Sequence, residues 1–268
     1  MSMMPEKVLA QMPGWEDAQL TELSGGLTNQ TWRVTAEHKT GVLKIDEGER
    51  QAPFNSRRDE AIVQSSAARA DLAPKVLHAD IGVYFTEYVE GNVWTRGDLD
   101  VAGNLERVAA TLKRVHSLQL TGRTFDATIA AKRYVKKITN QDPAAVQRCT
   151  DIVASMRLPQ NLCCCHNDLV AANLISTPSL MFLDWEYACD NDPFFDLATV
   201  AEHHELSAAQ VTTLLDAYFD GNGQRWSAQL EKQRKLYLAL LFLWMAARSD
   251  SAPEELQRVV QRLSTSYS

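Results

Sequence analysis

The chain has 268 residues and a mass of 30.0 kDa, with 45% apolar and 23% charged residues, enough for one large domain or two lobes with an ample core. A net charge of -7 argues against a nucleic-acid partner, which would need a basic face, while it is compatible with a small cationic substrate. The longest apolar stretch, Leu236 to Ala247, falls short of the about 20 residues of a membrane span. The opening residues MSMMPEKVLAQMPG lack the apolar region of a signal peptide, so the expected compartment is the cytoplasm. Five cysteines, three of them consecutive at Cys163, Cys164 and Cys165, fit neither a disulfide framework nor C-x-x-C zinc spacing. They are expected to be reduced, mostly buried strand residues.

In chain order, Asp17 to Ser24 reads as a strand and is followed by the turn-rich segment Gly25-Gly26-Leu27-Thr28-Asn29. The alternating stretches Thr31 to Thr35 and Gly41 to Ile45 make two more strands. A Gly-Gly turn between strands is either a plain hairpin or a loop whose backbone N–H groups face phosphates. Lys44 lies between Leu43 and Ile45, a position that suits a snorkelling edge lysine as well as a phosphate ligand. Glu60, in the predicted helix Ser56 to Ala70, favours the second reading, with Asp59 as the alternative partner. Strands follow at Lys75 to Asp80 and Val83 to Val89, and Gly91 breaks the extended pattern. Glu87, Tyr88 and Val89 would form a crossing strand offering backbone groups to an adenine edge. The lobe boundary is placed there, giving lobes of residues 1–90 and 91–268. Beyond it, Val101, Leu105, Val108, Leu112 and Val115 line one helix face. His116, at the end of that helix, reads as a capping or packing residue. Further helices are expected at 126–139, 144–157 and Trp226 to Arg248, with Lys132, Arg133, Lys136 and Lys137 as a solvated face.

The segment Cys163 to Asp184 holds the densest chemistry. Asp168 is followed by Asn173 five residues later and by Asp184 eleven beyond that. Phosphoryl transfer needs an acceptor for a hydroxyl proton, oxygen ligands for magnesium and a positive charge on the phosphates. Asp168 suits the first, Asn173 and Asp184 the second, and Lys44 the third. The order His166-x-Asp168-x-x-x-x-Asn173 repeats the protein-kinase catalytic-loop pattern.

Those residues, with Leu183-Asp184-Trp185-Glu186-Tyr187 and Asp192-Pro193-Phe194-Phe195-Asp196-Leu197-Ala198, resemble the choline/ethanolamine kinase family. That family is grouped with aminoglycoside phosphotransferases and thiamine kinases in the protein-kinase-like fold. Leu23 to Asn29 is similar to its phosphate-loop region, and Phe85 to Gly91 to its hinge. The resemblance implies an α+β, two-lobed fold with a small N-terminal antiparallel-sheet lobe and a larger, mainly helical C-terminal lobe. It further implies ATP as donor, Mg2+ as cofactor and a small hydroxyl compound as acceptor. Asp168 would be the catalytic base, Asn173 and Asp184 the metal ligands, and Lys44 with Glu60 the group orienting the phosphates. Ser24, Gly25, Gly26, Thr28, Asn29, Glu87, Tyr88 and Val89 would contact the nucleotide. Asp184-Trp185-Glu186 stands where protein kinases carry D-F-G, and no A-P-E segment follows, so a protein substrate is not expected. Glu186 is either a further metal or acceptor ligand or a structural residue, and Asp196 is expected to steady the catalytic loop.

For the acceptor, aromatic faces and carboxylates suit a quaternary or primary ammonium. Trp185, Tyr187, Glu186, Asp190, Glu202 and Trp244 form the candidate set, although each aromatic also reads as core. They favour choline or ethanolamine, followed by thiamine and then an aminoglycoside. A nucleotide-binding pseudokinase is the alternative from another class.

Overall fold

The computed structural model describes residues 4–23, 29–46, 56–157 and 159–265, and its backbone divides into two compact units. The first comprises Met1–Val93 together with Ala172–Ala188, and the second Trp94–Ala171 together with Cys189–Ser268.

The first unit opens with α1 (Pro5–Leu9) and continues through β1 (Gln19–Glu22), β2 (Asn29–Ala36), β3 (Lys39–Asp46), α2 (Arg57–Arg69), β4 (Val76–Asp80), β5 (Val83–Glu87) and β6 (Asn92–Val93). The chain then forms α3 (Asn104–His116), α4 (Ala127–Val135), α5 (Pro143–Ser155) and β7 (Cys163–Cys165) of the second unit. It returns to the first for β8 (Leu174–Ser176), β9 (Leu180–Phe182) and a 3-10 turn at Trp185–Tyr187. The second unit is completed by β10 (Cys189–Asn191), α6 (Pro193–His203), α7 (Ala208–Tyr218), α8 (Ser227–Ala246) and α9 (Pro253–Thr265).

In the first unit, β1 to β5 form an antiparallel sheet in the order β1-β2-β3-β5-β4. Alternation along β3 divides its side chains between two faces: Leu43 and Ile45 are buried, whereas Val42, Lys44 and Asp46 are half-buried. Leu43 and Ile45 join Val34, Val83, Phe85, Leu9, Met12 and Trp15 in one apolar cluster, with Trp15 edge-on to Phe85 at 4.7 Å. Helix α2 starts at a reciprocal capping box between Ser56 and Asp59 and buries Arg57, Glu60, Val63, Gln64 and Ala67 along one stripe. That stripe meets the Lys44 face of the sheet: Tyr84, opposite Lys44, donates its hydroxyl to Gln64 at 3.0 Å. Strands β6, β8 and β9 make a separate three-stranded sheet, and the Phe182 N–H donates to the Leu72 carbonyl at 2.8 Å, fastening β9 just beyond α2. Gly91 permits this sheet, because a Cβ there would run into the Ser176 carbonyl oxygen.

The second unit is mainly helical. Along α3, Leu105, Val108, Ala109, Leu112 and Val115 are buried, whereas Val101 lies ahead of the helix and is exposed. The apolar half of α8 buries Leu236, Leu238, Ala239, Phe242 and Leu243 against α4, α5, α6 and α9. Each of the leucine and phenylalanine side chains contributes about 1.5–3 kcal/mol on burial. Lys132, Arg133, Lys136 and Lys137 are exposed, as read from the sequence. Strands β7 and β10 pair antiparallel, and all five cysteines are free thiols. No described helix is long and apolar enough to cross a membrane.

Candidate functional site

In the first unit, sheet, helix and returning segment bring charges together. Lys44 Nζ lies 2.8 Å from Asp184 Oδ2. Arg57 pairs with Glu60 at 2.8 Å and also with Asp46. Burial pulls the Lys44 ammonium down, but the carboxylates of Asp184, Glu60 and Glu186 outweigh it and leave the group above its ordinary value. The same balance, with Glu60, Asp46 and Glu186 opposing burial, raises Arg57. Glu60 is fully buried, whereas Asp59 serves the α2 cap, so the helix carboxylate acting on Lys44 is Glu60. Sequence reasoning missed Asp46 and Arg57. The signal for Arg57 was its place at the first turn of a capped helix, three residues before Glu60.

Asp184 reaches Lys44 through an unusual backbone. It follows β9 with φ +59°, a left-handed conformation that costs a non-glycine residue on the order of 1 kcal/mol and is best tolerated by Asp and Asn. Asn173 lies beside it, since the Leu183 N–H donates to the Asn173 carbonyl at 2.8 Å. Asp46, Glu60, Asp184 and Glu186 lie around Lys44 and Arg57, and an all-oxygen donor set of this kind fits a hard divalent cation such as magnesium.

In the second unit, the loop carrying Asp168 is held from α6. Asp192 caps this helix by accepting the Phe194 N–H at 2.9 Å, and Pro193 occupies its first turn. Asp196 follows in that turn, where a helix N-terminus favours a carboxylate. Its oxygens accept the N–H groups of His166 at 2.8 Å and Asn167 at 2.6 Å. Asn167 has φ +66°, and its side-chain oxygen accepts from Asn191 at 2.8 Å. His166 is fully buried and accepts the Asp168 N–H through Nδ1 at 3.3 Å, so it works as a hydrogen-bonding support. The next residue, Leu169, is fully buried and anchors the loop, whereas Asp168 is half-buried. His116 does more than end its helix: Nε2 lies 3.1 Å from Asp196 and Nδ1 2.7 Å from the Tyr218 hydroxyl. Asn191 and Tyr218 were invisible in the sequence, because only the fold brings them to this loop.

Other expected site residues are placed as follows. Ser24, Gly25, Gly26 and Thr28 lie outside the described residues, and Asn29 begins β2. The Glu87 N–H donates to the Lys75 carbonyl and the Tyr88 N–H to the Thr40 carbonyl, both at 2.9 Å. These two N–H groups therefore serve the sheet, and Val89 is the next position along the chain. Tyr88 carries the Arg33 guanidinium 4.4 Å from its ring centre. Trp185 is fully buried and donates its indole N–H to Phe182 at 2.9 Å, so the expectation of a cation on its face meets a covered ring. Tyr187 is half-buried. Glu202 is 1% exposed and paired with both Arg234 and Arg262, so its charge is already matched. Trp244 is half-buried, with Arg248 4.8 Å from its ring centre. Asp190, grouped with the acceptor carboxylates on sequence, instead accepts the N–H groups of Thr121 and Gly122 at 2.7 and 2.8 Å and tethers their loop.

Residues 19–231 match the model of the phosphotransferase enzyme family. Protein LicA of Haemophilus influenzae is 28% identical over 263 residues, covering 91% of this chain and 77% of the relative. The structure of choline kinase LicA from Streptococcus pneumoniae superposes with a TM-score of 0.76 at 24% identity, covering 92% of this chain and 94% of that one. A structure of LicA in complex with AMP gives a TM-score of 0.75 at 22% identity, with coverage of 97% and 95%. The protein is thus a small-molecule kinase with a protein-kinase-like fold, its antiparallel sheet in one unit and most of its helices in the other. It belongs to the phosphotransferase enzyme family, and its likeness is to the choline/ethanolamine kinase-like members.

Proposed function

We propose that the protein transfers the γ-phosphoryl group of ATP to the hydroxyl of a small cationic alcohol, choline or ethanolamine. The Lys44–Asp184 pair within an acidic cluster carries this reading, because phosphoryl transfer calls for an ammonium next to oxygen groups suited to magnesium. A structural neighbour bound to AMP supports the adenine nucleotide, and relatives described as choline kinases support the acceptor. In this proposal Asp168 accepts the proton of the attacking hydroxyl, held in place by the Asp196 hydrogen bonds to its loop. Asn173 and Asp184 would hold magnesium, with Glu186 as a further oxygen ligand, and an ion held there would neutralise charge on the phosphates. Lys44, oriented by Asp184 and by the charge of Glu60, takes up the phosphate oxygens. Ser24, Gly25, Gly26, Thr28 and Asn29 supply the phosphate loop, and Glu87 to Val89 the adenine side. Tyr187 offers its ring to the acceptor's ammonium, while Trp185 and Glu202 support the acceptor region from within.

A coupled ADP-release assay with magnesium ATP and choline, ethanolamine, thiamine or an aminoglycoside tests the reading. Turnover is expected with choline or ethanolamine, and silence with all four would overturn it. Asp168→Ala should lower turnover at least about a hundredfold while ATP binding persists. Undiminished turnover would remove Asp168 from its role.

A further inference from the structure

The mechanism leaves the thiols of β7 unused. Cys163 and Cys165 project from the same side of the strand, with their sulfurs 3.5 Å apart. His116, 47 residues upstream, brings a ring nitrogen to them, and the three ligand atoms lie within 4.8 Å of one another. C-x-C spacing alone did not suggest a metal site, and the ligand that completes the set comes from α3. We propose that Cys163, Cys165 and His116 form a binding site for a soft divalent cation of the zinc type.

The dimensions suit that ion. Tetrahedral zinc with bonds of about 2.3 Å to sulfur holds two thiolates roughly 3.8 Å apart, close to the separation present. Moving the imidazole by on the order of 1 Å brings the third ligand to bonding range. Metal-bound histidines commonly place their second nitrogen against a carboxylate, and Asp196 already lies 3.1 Å from His116 Nε2. That leaves Nδ1, now 2.7 Å from the Tyr218 hydroxyl, to face the ion. On binding, the Tyr218 hydroxyl would give up its contact with Nδ1 to the ion, and a water would complete the tetrahedral set. Soft thiolates with imidazole select zinc-like ions over magnesium, so this site would not compete for the nucleotide's metal. The sulfur ligands start as thiols. Coordination forms two metal–sulfur bonds and releases two thiol protons to solvent, which makes affinity rise with pH. Half-buried Cys163 supplies the approach.

Cadmium titration of the reduced, chelator-treated full chain tests the site, because thiolate–cadmium charge transfer absorbs in the ultraviolet. One equivalent should saturate the band, and zinc in large excess should weaken it by competition. Cys163→Ala, Cys165→Ala and His116→Asn should each weaken binding at least about tenfold, while Cys149→Ala, on α5, should not. Absence of the band, or its persistence in both β7 variants, would overturn the proposal. Counting alkylated thiols by mass requires no variant: zinc should shield Cys163 and Cys165, and failure to shield either would also overturn it.

Discussion

Lys44 shows how one side chain is prepared for a role by its surroundings. Its strand position sets the ammonium on the face opposite the apolar cluster, and its buried surroundings would by themselves favour the neutral amine. Asp184, Glu60 and Glu186 reverse that preference, so the group stays charged and oriented before any phosphate arrives. On the proposed function, Lys44→Met should lower kcat/KM for ATP by about 10² to 10³, the loss expected when one preorganised charge donor is removed. The variant should fold, since the methionine stem retains the packing of the lysine. A kcat/KM within a few-fold of the parent enzyme would show that Lys44 does not touch the phosphates. Its place in the strand between Leu43 and Ile45 was legible, but the sequence pointed to Glu60 as its ion-pair partner, whereas Asp184 lies 2.8 Å from its ammonium. Lys44 and Asp184 are 140 residues apart in sequence, and no local pattern records that they meet.

Elements were most legible where burial follows a simple period. Leu105, Val108, Leu112 and Val115 repeat at helical spacing and line the buried side of α3. The alternation at Val42 to Ile45 describes β3 equally well. Strands β8, β9 and β10 have three residues each, too short for a period to emerge. Gly91 marked a break in the extended pattern, and its physical reason lies in the small sheet. A Cβ at this position would meet the Ser176 carbonyl and the Ile175 side chain, so either β6 or β8 must shift. Gly91→Ala is therefore expected to destabilise the protein by about 1–3 kcal/mol, read as a lower urea midpoint at unchanged slope. On the proposed function, with Asn173 a magnesium ligand directly ahead of β8, the variant should also raise the magnesium concentration needed for half-maximal activity. An unchanged midpoint would mean that the strand yields freely.

At the scale of the whole chain, the return of Ala172–Ala188 to the first unit is what a reading along the sequence could not express. Asp168 stands ahead of this segment and Asn173 within it, so a compact motif is divided between two packing environments. The second unit carries its own pH sensitivity. Burial pushes His204 down to about 4, with the charge of Arg96 acting in the same direction. His203 is pushed down to about 3 by burial, His204, Arg96 and Arg262. Histidine in the unfolded chain binds its proton near pH 6.5, whereas these two remain neutral in the folded protein well below that value. The unfolded state therefore binds more protons between pH 6.5 and 4, and linkage requires stability to fall as pH drops through that window. Above pH 6.5 both states are neutral and the full contribution is present. Between pH 7 and 5 a shift of this size costs about 2 kcal/mol for His204. His204→Gln removes one of the two titrating groups, so its loss of stability over the same interval should be smaller by about that amount. Urea midpoints of the two proteins at pH 7 and 5 measure the difference, and parallel slopes would show that His204 is protonated equally in both states.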